Sequence, residues 1–203
     1  MDGEHYFSAR PAGELELREI DVTLSGSPYR VATSSKIFSP DHVDTGTQVL
    51  LATVPTPPET GDLLDLGCGW GPIALTLALE SPRATVWAVD VNERALDLVR
   101  RNSHMMGLEN VNACRPEDVP EEVRFAAIWS NPPIRVGKEV LHGMLRHWIP
   151  RLDTETGAEA WLVVQKNLGS DSLQRWLQAE FASLEVTRTT TSKSFRVLRV
   201  AQA

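Results

Sequence analysis

Asn131-Pro132-Pro133 follows an apolar run, 125–129, and combines residue types that can grip a planar nitrogen. The Asn131 side chain offers a carbonyl acceptor, and the backbone carbonyl of Pro132 offers a second. Proline fixes φ, so this backbone would be rigid. Two fixed acceptors would hold both N–H bonds of an amide or exocyclic amine and aim its lone pair at an electrophile. The alternative is a turn that merely ends a strand.

A second constellation lies upstream, where Asp65 and Leu66 end a short apolar segment. Three glycines then occupy alternate positions, namely Gly67, Gly69 and Gly71. Glycine lets the backbone turn sharply and approach a ligand without intervening side chains. Open parallel sheets bind ligands beyond the carboxyl ends of their strands, where this loop would lie. The segment therefore predicts a site for a nucleoside cofactor; a tight turn without a ligand is the alternative.

The same loop, 69–74, also matches the dinucleotide fingerprint G-x-G-x-x-A, with Asp90 about 20 residues further on. A nicotinamide oxidoreductase is therefore a rival interpretation. Pro72 weighs against it, because proline removes an N–H from the helix start, where a pyrophosphate needs donors. The carboxylate of Asp65 suits a cationic amino-acid ligand better. S-adenosylmethionine carries an ammonium and a sulfonium but no phosphate, and it is the predicted cofactor.

Two further acids follow predicted strands of the same half. Asp90 ends the second strand, and its two carboxylate oxygens could accept both ribose hydroxyls of a nucleoside. Capping of the helix that begins near Asn92 is the alternative role for Asp90. Asp118 follows the third strand, where it could meet the adenine amino group; an exposed loop is the alternative.

The elements that must position these residues alternate along the chain. Predicted strands lie at 62–66, 85–89, 111–114, 125–129 and 160–165, with helices at 71–80, 92–106, 139–152 and 172–181. Repeated strand–helix units predict an α/β fold with a mostly parallel sheet of seven strands and helices on both faces. The last two strands, at 184–189 and 194–200, would form an antiparallel hairpin.

A small extension is expected ahead of this core. It comprises a loose or docked leader at 1–10, a β-hairpin with strands at 15–24 and 29–33, and a helix at 43–54 that starts near Asp44 or Thr45. Prolines at 55, 57 and 58 would end that helix. We therefore expect one domain over 1–203, with 1–55 as the extension and 56–203 as the cofactor-binding and catalytic core.

The bulk numbers fit a cytoplasmic protein with reduced thiols. No apolar run approaches the ~20 residues of a membrane-spanning helix. The polar N-terminus is not a signal peptide. Cys68 and Cys114 lie too far apart for a metal-binding pair, so no metal is expected.

The net charge of −7 argues against a protein that coats nucleic acid through bulk positive charge. Cations are concentrated locally, however. Residues 134–151 hold four cations against one acid, and 186–203 hold four cations and no acid. We predict a basic rim suited to a phosphate-bearing substrate; solvated helix faces are the alternative.

At 65–71, 90–92 and 131–137 the chain resembles the class I S-adenosylmethionine-dependent methyltransferases. It looks most like their small-domain branch, which holds ribosomal RNA small-subunit guanine-N2 methyltransferases. Residues 37–47 are similar to the segment that precedes the cofactor strand in that branch, and the resemblance covers about 30–200. It implies a Rossmann-like fold and methyl transfer from S-adenosylmethionine to an exocyclic amine, foremost guanine N2 in ribosomal RNA. RNA or a ribosomal subunit would be the partner, with the target base flipped or unpaired.

Other functions stay open at this point. A glutamine side chain of a protein fits the same grip, because it also presents a planar nitrogen. A non-enzymatic RNA-binding scaffold with a decayed site is a further interpretation, against which the intact motif residues argue.

The resemblance also implies a set of site residues. The catalytic set is Asn131, Pro132, Pro133 and Ile134; the cofactor set is Asp65, Gly67, Cys68, Gly69, Gly71, Asp90, Val91 and Asp118. Ile134 stands where the family often has an aromatic residue, which forfeits ~1–3 kcal/mol of stacking. Phe38 is the predicted substitute, Arg135 and Lys138 are expected to contact phosphate, and Trp70 is expected to border the cofactor.

Overall fold

The computed structural model describes residues 16–203 except Lys36 and Thr154, and of Arg135 it describes only the backbone. The predicted leader lies outside these residues. The elements are β1 Leu17–Leu24, β2 Ser27–Ser34, α1 Thr45–Leu51, β3 Asp62–Leu66, α2 Pro72–Glu80, β4 Thr85–Val89, α3 Glu93–Met105, β5 Val111–Cys114, β6 Phe125–Ser130, α4 Lys138–Trp148, β7 Glu159–Gln165, α5 Ser170–Glu180, β8 Leu184–Ser192 and β9 Phe195–Gln202.

Seven of the strands form one sheet in the order β5-β4-β3-β6-β7-β9-β8. Strands β3 to β7 run parallel, whereas β9 pairs antiparallel with β7 and β8 antiparallel with β9. The predicted seven-stranded, mostly parallel sheet is confirmed. Its strand order reverses between β3 and β6, and open α/β sheets bind ligands at such a switch point.

Helices cover both faces of the sheet because its strands are apolar on both sides. Leu63 and Leu64 are both fully buried, and they face opposite ways. Leu63 packs with residues of α1, α2 and α3. Leu64 packs with residues of α4 and α5. Within the described part of the chain, no helix is both long and apolar enough to cross a membrane.

The N-terminal hairpin β1–β2 packs on α2 and α3 and does not join the main sheet. Val22, Leu24 and Val31 form its buried face. Trp70 belongs to the same cluster, is 1% exposed, and donates its indole N–H to the backbone carbonyl of Ser39 at 3.3 Å. The expectation that Trp70 borders the cofactor is therefore wrong for its ring, which anchors the N-terminal segment instead.

Asn102, buried on α3, links this hairpin to the glycine loop. Its Oδ1 accepts the Ala32 N–H at 2.7 Å, and its Nδ2 donates to the carbonyls of Ala32 at 3.0 Å and Trp70 at 3.1 Å. A buried polar group is stabilising only when it is satisfied in this way. The extension and the loop are thus held in one arrangement.

Three predicted bounds shift. Helix α1 is shorter than expected, with Asp44 as its N-cap. Helix α4 stops at Trp148, and Pro150 enters a 3₁₀ turn, because proline lacks the N–H that would continue the helix. Strand β8 runs on to Ser192 across a register shift between Arg188 and Thr190.

Candidate active site

Parallel pairing of β3 with β6 places the glycine loop beside the Asn-Pro-Pro turn. Asp65 pairs with Trp129, and the Ser130 hydroxyl donates to the Leu66 carbonyl at 2.6 Å across 64 residues of sequence. A Cβ added to Gly67 would lie 3.8 Å from Cδ of Pro133. The two motifs singled out in the sequence therefore lie side by side at the carboxyl ends of β3 and β6, where open parallel sheets bind ligands.

The glycine loop depends on backbone conformations that other residues rarely adopt. Gly67, Gly69 and Gly71 have φ of 79°, 56° and 100°. At Gly71 an added Cβ would meet the Val99 side chain at 3.0 Å, so this glycine is required by packing. At Gly69 nothing lies within 4 Å of an added Cβ, so that position faces open space, where a ligand can approach the backbone.

Cys68 turns its side chain away from this open space. The thiol is 3% exposed within the core cluster that covers the α1–α3 face, and burial raises its pKa well above the usual value. A raised pKa keeps the thiol protonated and inert. Only the backbone of Cys68 is available to a cofactor.

Asp65 is fully buried below the loop. Its Oδ2 accepts the Ala74 N–H at 2.9 Å, and its Oδ1 has no partner in the described structure. Burial raises the pKa of this carboxyl to about 8, against the lowering effect of the Ala74 hydrogen bond. A buried acceptor without a partner is costly, and a cationic ligand group would satisfy it.

The same contact weighs against a dinucleotide. A pyrophosphate would bind the free N–H groups at the start of α2. There Pro72 supplies no N–H, and the N–H of Ala74 is taken by the Asp65 carboxylate. This helix start therefore offers a phosphate fewer donors and an opposing carboxyl group.

Asp90 bridges the glycine loop and the next helix. Its Oδ2 accepts the Gly69 N–H at 3.0 Å and its Oδ1 the Asn92 N–H at 2.9 Å, while burial raises its pKa. Asn92 itself caps α3 by accepting the Arg94 N–H at 3.0 Å, so Asp90 is not the N-cap. Each Asp90 oxygen keeps a lone pair that a ribose hydroxyl could use. Val91, 40% exposed, lies beside it.

Asp118 sits one strand further along the same edge. It closes the 3₁₀ turn Pro116–Asp118 that follows β5, and its side chain is exposed. The exposed-loop alternative and an adenine contact both fit this position, so its role stays a prediction.

Asn131 is oriented by two residues of the N-terminal extension. Its Nδ2 donates to Asp44 Oδ2 at 2.9 Å and to Thr47 Oγ1 at 3.1 Å. An ionised carboxylate only accepts, so the amide nitrogen must face Asp44 and the carbonyl oxygen must face away from it. The Asn131 carbonyl is thereby left for a ligand, as the grip on an amine requires.

Asp44 and Thr47 are the site residues that sequence reasoning missed. Asp44 was expected only as a helix start, and it does cap α1, accepting the Gly46 N–H at 2.8 Å and the Thr47 N–H at 3.3 Å. Gly46 completes the arrangement, because an added Cβ would lie 2.9 Å from both Asp44 Oδ2 and the Phe195 ring. The one sequence signal for these two residues was that they lie in segment 37–47, which resembles the family. Nothing in that segment indicated that Asp44 would contact Asn131, 87 residues further along the chain.

The two prolines form a tight turn next to Asn131. Pro133 has φ −73° and ψ 78°, and the Ile134 N–H donates to the Pro132 carbonyl at 2.8 Å, as in an inverse γ-turn. A carbonyl has two lone pairs, so Pro132 can accept a second hydrogen bond. Ile134 packs against the cluster between α4 and α5.

The other predicted substrate residues lie at the rim. Phe38 is 57% exposed, one residue before Ser39, whose carbonyl the Trp70 indole N–H reaches. Lys138 is exposed as the first residue of α4. The side chain of Arg135 lies outside what the structure describes. Among the described residues, no group of three or more His, Cys, Asp or Glu could hold a metal ion.

The predicted basic rim needs correction for its arginines, because most are neutralised by acids. Arg146 pairs with Glu180, Arg188 and Arg196 share Asp171, and Arg199 pairs with Glu159. Arg151 donates to the backbone carbonyls of Pro120 and Val123 and lies over the Phe125 and Trp148 rings. These arginines already have partners within the fold, so the rim carries less unpaired positive charge than the sequence count predicted.

The orienting role of Asp44 can be separated from its capping role. Serine is also a good N-cap, but its hydroxyl is one atom shorter than a carboxylate. We expect Asp44→Ser to unfold near the wild-type temperature yet lose roughly 10-fold or more in kcat, less than the ~10²–10³ of a direct transition-state contact. Asp44→Asn keeps an acceptor oxygen in place and should retain most turnover. Equal kcat for Asp44→Ser and wild type would contradict the role.

The buried carboxyl of Asp65 predicts a pH dependence of cofactor binding. With a pKa of about 8, Asp65 is protonated at neutral pH, and an ammonium beside Oδ1 favours the ionised form. Binding then releases a proton, so affinity for S-adenosylhomocysteine should rise up to ~10-fold per unit as pH increases towards about 8, then level off. Calorimetry on the Asp65→Asn variant should show that this pH dependence is lost. An unchanged pH profile in the variant would contradict the assignment of Asp65 as the acceptor for the ammonium group.

The same group makes a matching stability prediction for the ligand-free protein. The pKa of Asp65 in the folded protein lies above the ordinary value of 3.8, so the folded state holds the proton more tightly than the unfolded state. Its stabilising contribution is complete below pH ~4 and is lost as pH rises through about 8. In denaturant titrations, the free energy of unfolding of the wild type should fall relative to that of Asp65→Asn as pH rises through this window.

Comparison with known protein families gives a direct assignment. The family model "Methyltransferase small domain" matches residues 28–199. YbxB of Bacillus subtilis (strain 168), an uncharacterized protein, is 33% identical over 188 residues, covering 91% of this chain and 92% of its own. Ribosomal RNA small subunit methyltransferase C of Salmonella choleraesuis is 33% identical over 148 residues, covering 68% of this chain and 42% of its own. The chain thus spans less than half of that relative.

Solved structures agree on the fold. The 16S rRNA N2 methyltransferase RsmC of T. thermophilus, solved with AdoMet and guanosine, superposes with a TM-score of 0.79 at 22% identity, over 96% of this chain and 52% of its own. A methyltransferase from Pyrococcus furiosus gives 0.64 at 19% identity, over 84% of this chain and 87% of its own. At such identities the likeness shows the fold alone. The family model and the YbxB match together establish that the chain belongs to the methyltransferase small-domain family.

Proposed function

We propose that this chain transfers the methyl group of S-adenosylmethionine, the cofactor of its family, to the N2 amine of a guanine in ribosomal RNA. The observation that carries the proposal is the Asn131 amide. Asp44 and Thr47 hold its nitrogen, so its carbonyl is left for an N–H donor next to the glycine loop.

The residues of the loop fit the cofactor. Oδ1 of Asp65, the unpartnered buried acceptor, would receive the ammonium of the methionine moiety. Asp90 would accept the ribose hydroxyls, and Val91 would pack on the adenine. The backbone of 67–71 would follow the ligand closely, because its glycines present no side chain to it.

The carbonyls of Asn131 and Pro132 together form a clamp that would act on the amine by orienting it. An exocyclic amine delocalises its lone pair into the ring and is a poor nucleophile. The Asn131 side-chain carbonyl and the Pro132 carbonyl would each accept one N–H, which aims the lone pair and stabilises the positive charge that develops on nitrogen. When bound, the cofactor would supply an electrophilic methyl on its sulfonium. The nitrogen would gain this carbon as the carbon–sulfur bond breaks, with the electron pair of that bond left on the sulfur of S-adenosylhomocysteine, and would afterwards lose one proton to solvent.

The choice of guanine in ribosomal RNA rests on the relatives. Several relatives that are 31–33% identical carry the name ribosomal RNA small subunit methyltransferase C. They extend well beyond the part that this chain matches. Ile134 is aliphatic and covers a base face less effectively than an aromatic residue, so exposed Phe38 is the proposed stacking partner.

Mass spectrometry of nucleosides tests the proposal. Purified protein, labelled S-adenosylmethionine, and either naked ribosomal RNA, small subunits or total protein would be incubated separately. We expect N2-methylguanosine from one of the RNA samples. Methylated glutamine in the protein sample, with no label in RNA, would replace this function by glutamine methylation.

The catalytic role of Asn131 has its own variant. Asn131→Ala should lose about 10²–10³ in kcat, because one of two transition-state acceptors is removed, while S-adenosylhomocysteine affinity stays the same. Asn112→Ala, at an exposed position on the edge strand β5, is the matched control and should keep wild-type turnover. Undiminished turnover in Asn131→Ala would overturn the clamp.

A further inference from the structure

The lysines that the structure describes lie on the active-site edge of this protein. The sequence has four, Lys36, Lys138, Lys166 and Lys193, of which the structure describes the last three. Lys138 begins α4, Lys166 follows the end of β7, and Lys193 lies in the turn between β8 and β9. Strand β9 begins opposite the end of β7, so all three lie at the carboxyl edge of the parallel strands, and all three are exposed.

These lysines differ from the arginines of the same half of the chain. Arg146, Arg188, Arg196 and Arg199 are paired with acids, as described above. None of the three lysines forms an ion pair with any residue that the structure describes. In a protein of net charge −7, three cations without an ion pair to a described residue thus lie together at this edge.

A groove lies between Lys138 and the turn that contains Lys166, next to the end of the Asn-Pro-Pro segment. It has a volume of about 240 Å³ and lies between the starts of α4 and α5. Ile134, Leu141 and Leu173 give it an apolar floor, and Lys138 stands at its side. On the other side its wall is Leu168, in the 3₁₀ turn Lys166–Leu168. The Lys166 N–H donates to the Ser194 carbonyl at 2.7 Å, which brings the Lys193 turn to the same place.

The groove is separate from the Asn131–Pro132 site and begins at Ile134, the residue that follows the two prolines. Asp44 and Thr47 hold Asn131 from the side of α1, which covers one face of the sheet. Ile134 packs on the opposite face, with α4 and α5. The Pro132-Pro133 turn thus divides the proposed target site from the groove, and a strand leaving the target would meet the groove next.

We propose that this groove binds the nucleotide adjacent to the target in a single-stranded RNA, with its base on the apolar floor and its phosphates on Lys138, Lys166 and Lys193. Binding of single strands combines a basic track with surfaces that cover base faces. The volume is below the ~300 Å³ of typical small-molecule pockets, which suits one base. His142, stacked on Trp176 at 3.7 Å, adds a fixed flat ring to the lining. The inference rests on the proposed RNA substrate.

Binding, measured apart from turnover, tests this inference. Fluorescence anisotropy of a short guanine-containing RNA strand on the S-adenosylhomocysteine complex would be recorded at several salt concentrations. Wild type should show a salt-dependent affinity. The variant K138A/K166A/K193A should bind more weakly, with the slope of log K against log salt reduced by roughly 2, since each single-strand phosphate contact contributes about 0.7.

Two further variants test whether the effect of the triple variant is specific to the groove. Arg101→Ala removes an exposed cation from the last turns of α3, away from the groove, and should leave the slope unchanged. Leu168→Asp places a negative charge at a position that is 39% exposed and should weaken RNA binding without unfolding the protein. S-adenosylhomocysteine affinity should be the same in all variants.

The outcomes separate this inference from the proposed function. If wild type methylates RNA but the triple variant keeps its affinity and salt slope, the groove proposal falls and the function stands. If wild type methylates no RNA, the function falls, and unaltered oligonucleotide binding by the triple variant would overturn the groove as well. Tight binding of an acidic peptide in place of RNA, lost in the triple variant, would assign the groove to a protein partner and overturn the proposal.

Discussion

Parallel pairing between β3 and β6 is the constraint on which the rest of this structure depends. Because the strand order reverses there, no connection between strands crosses over the ends of β3 and β6. The loops that leave these two strands therefore face each other across an open crevice. The Ser130 hydroxyl, bound to the Leu66 carbonyl at 2.6 Å, fixes the register at that point. A cofactor loop and a substrate clamp far apart in sequence therefore meet at one place.

Three carboxyl groups then set the geometry of the crevice, each by accepting backbone N–H groups. Asp65 takes the N–H of Ala74, Asp90 bridges two segments, and Asp44 caps α1 while it orients Asn131. Burial opposes ionisation of Asp65 and Asp90, and their pKa values are raised accordingly. Groups kept in this costly state are typical of sites that exchange their hydrogen bonds with a ligand.

Local patterns predicted the fold well, because most of its elements carry their own signals. Apolar segments of four to seven residues marked most of the strands, and Asn92 marked the start of α3. The glycine loop and the Asn-Pro-Pro turn were recognised because their defining residues, three alternate glycines and an asparagine followed by two prolines, lie close together in the sequence. The leader at 1–10 and the division of the domain at residue 55 stay predictions.

What the sequence could not predict were contacts between distant segments. The Asp44–Asn131 hydrogen bond, the burial of Trp70 under the hairpin, and the pairing of Arg196 with Asp171 depend on the tertiary fold. Counting charges along the chain therefore predicted a broader basic rim than the structure provides. Of its lysines, Lys138 and Lys193 form no ion pair with a described residue, and Lys166, which the charge count did not include, joins them at one edge through the β7–β9 pairing.

The central claim is that the crevice between β3 and β6 seats S-adenosylmethionine rather than a dinucleotide. Titration calorimetry of the folded wild-type protein with S-adenosylhomocysteine and, separately, with NADH tests this most directly. The account predicts saturable binding of S-adenosylhomocysteine at a single site per chain and no heat from NADH. Binding of NADH, or no response to S-adenosylhomocysteine by folded protein, would contradict it.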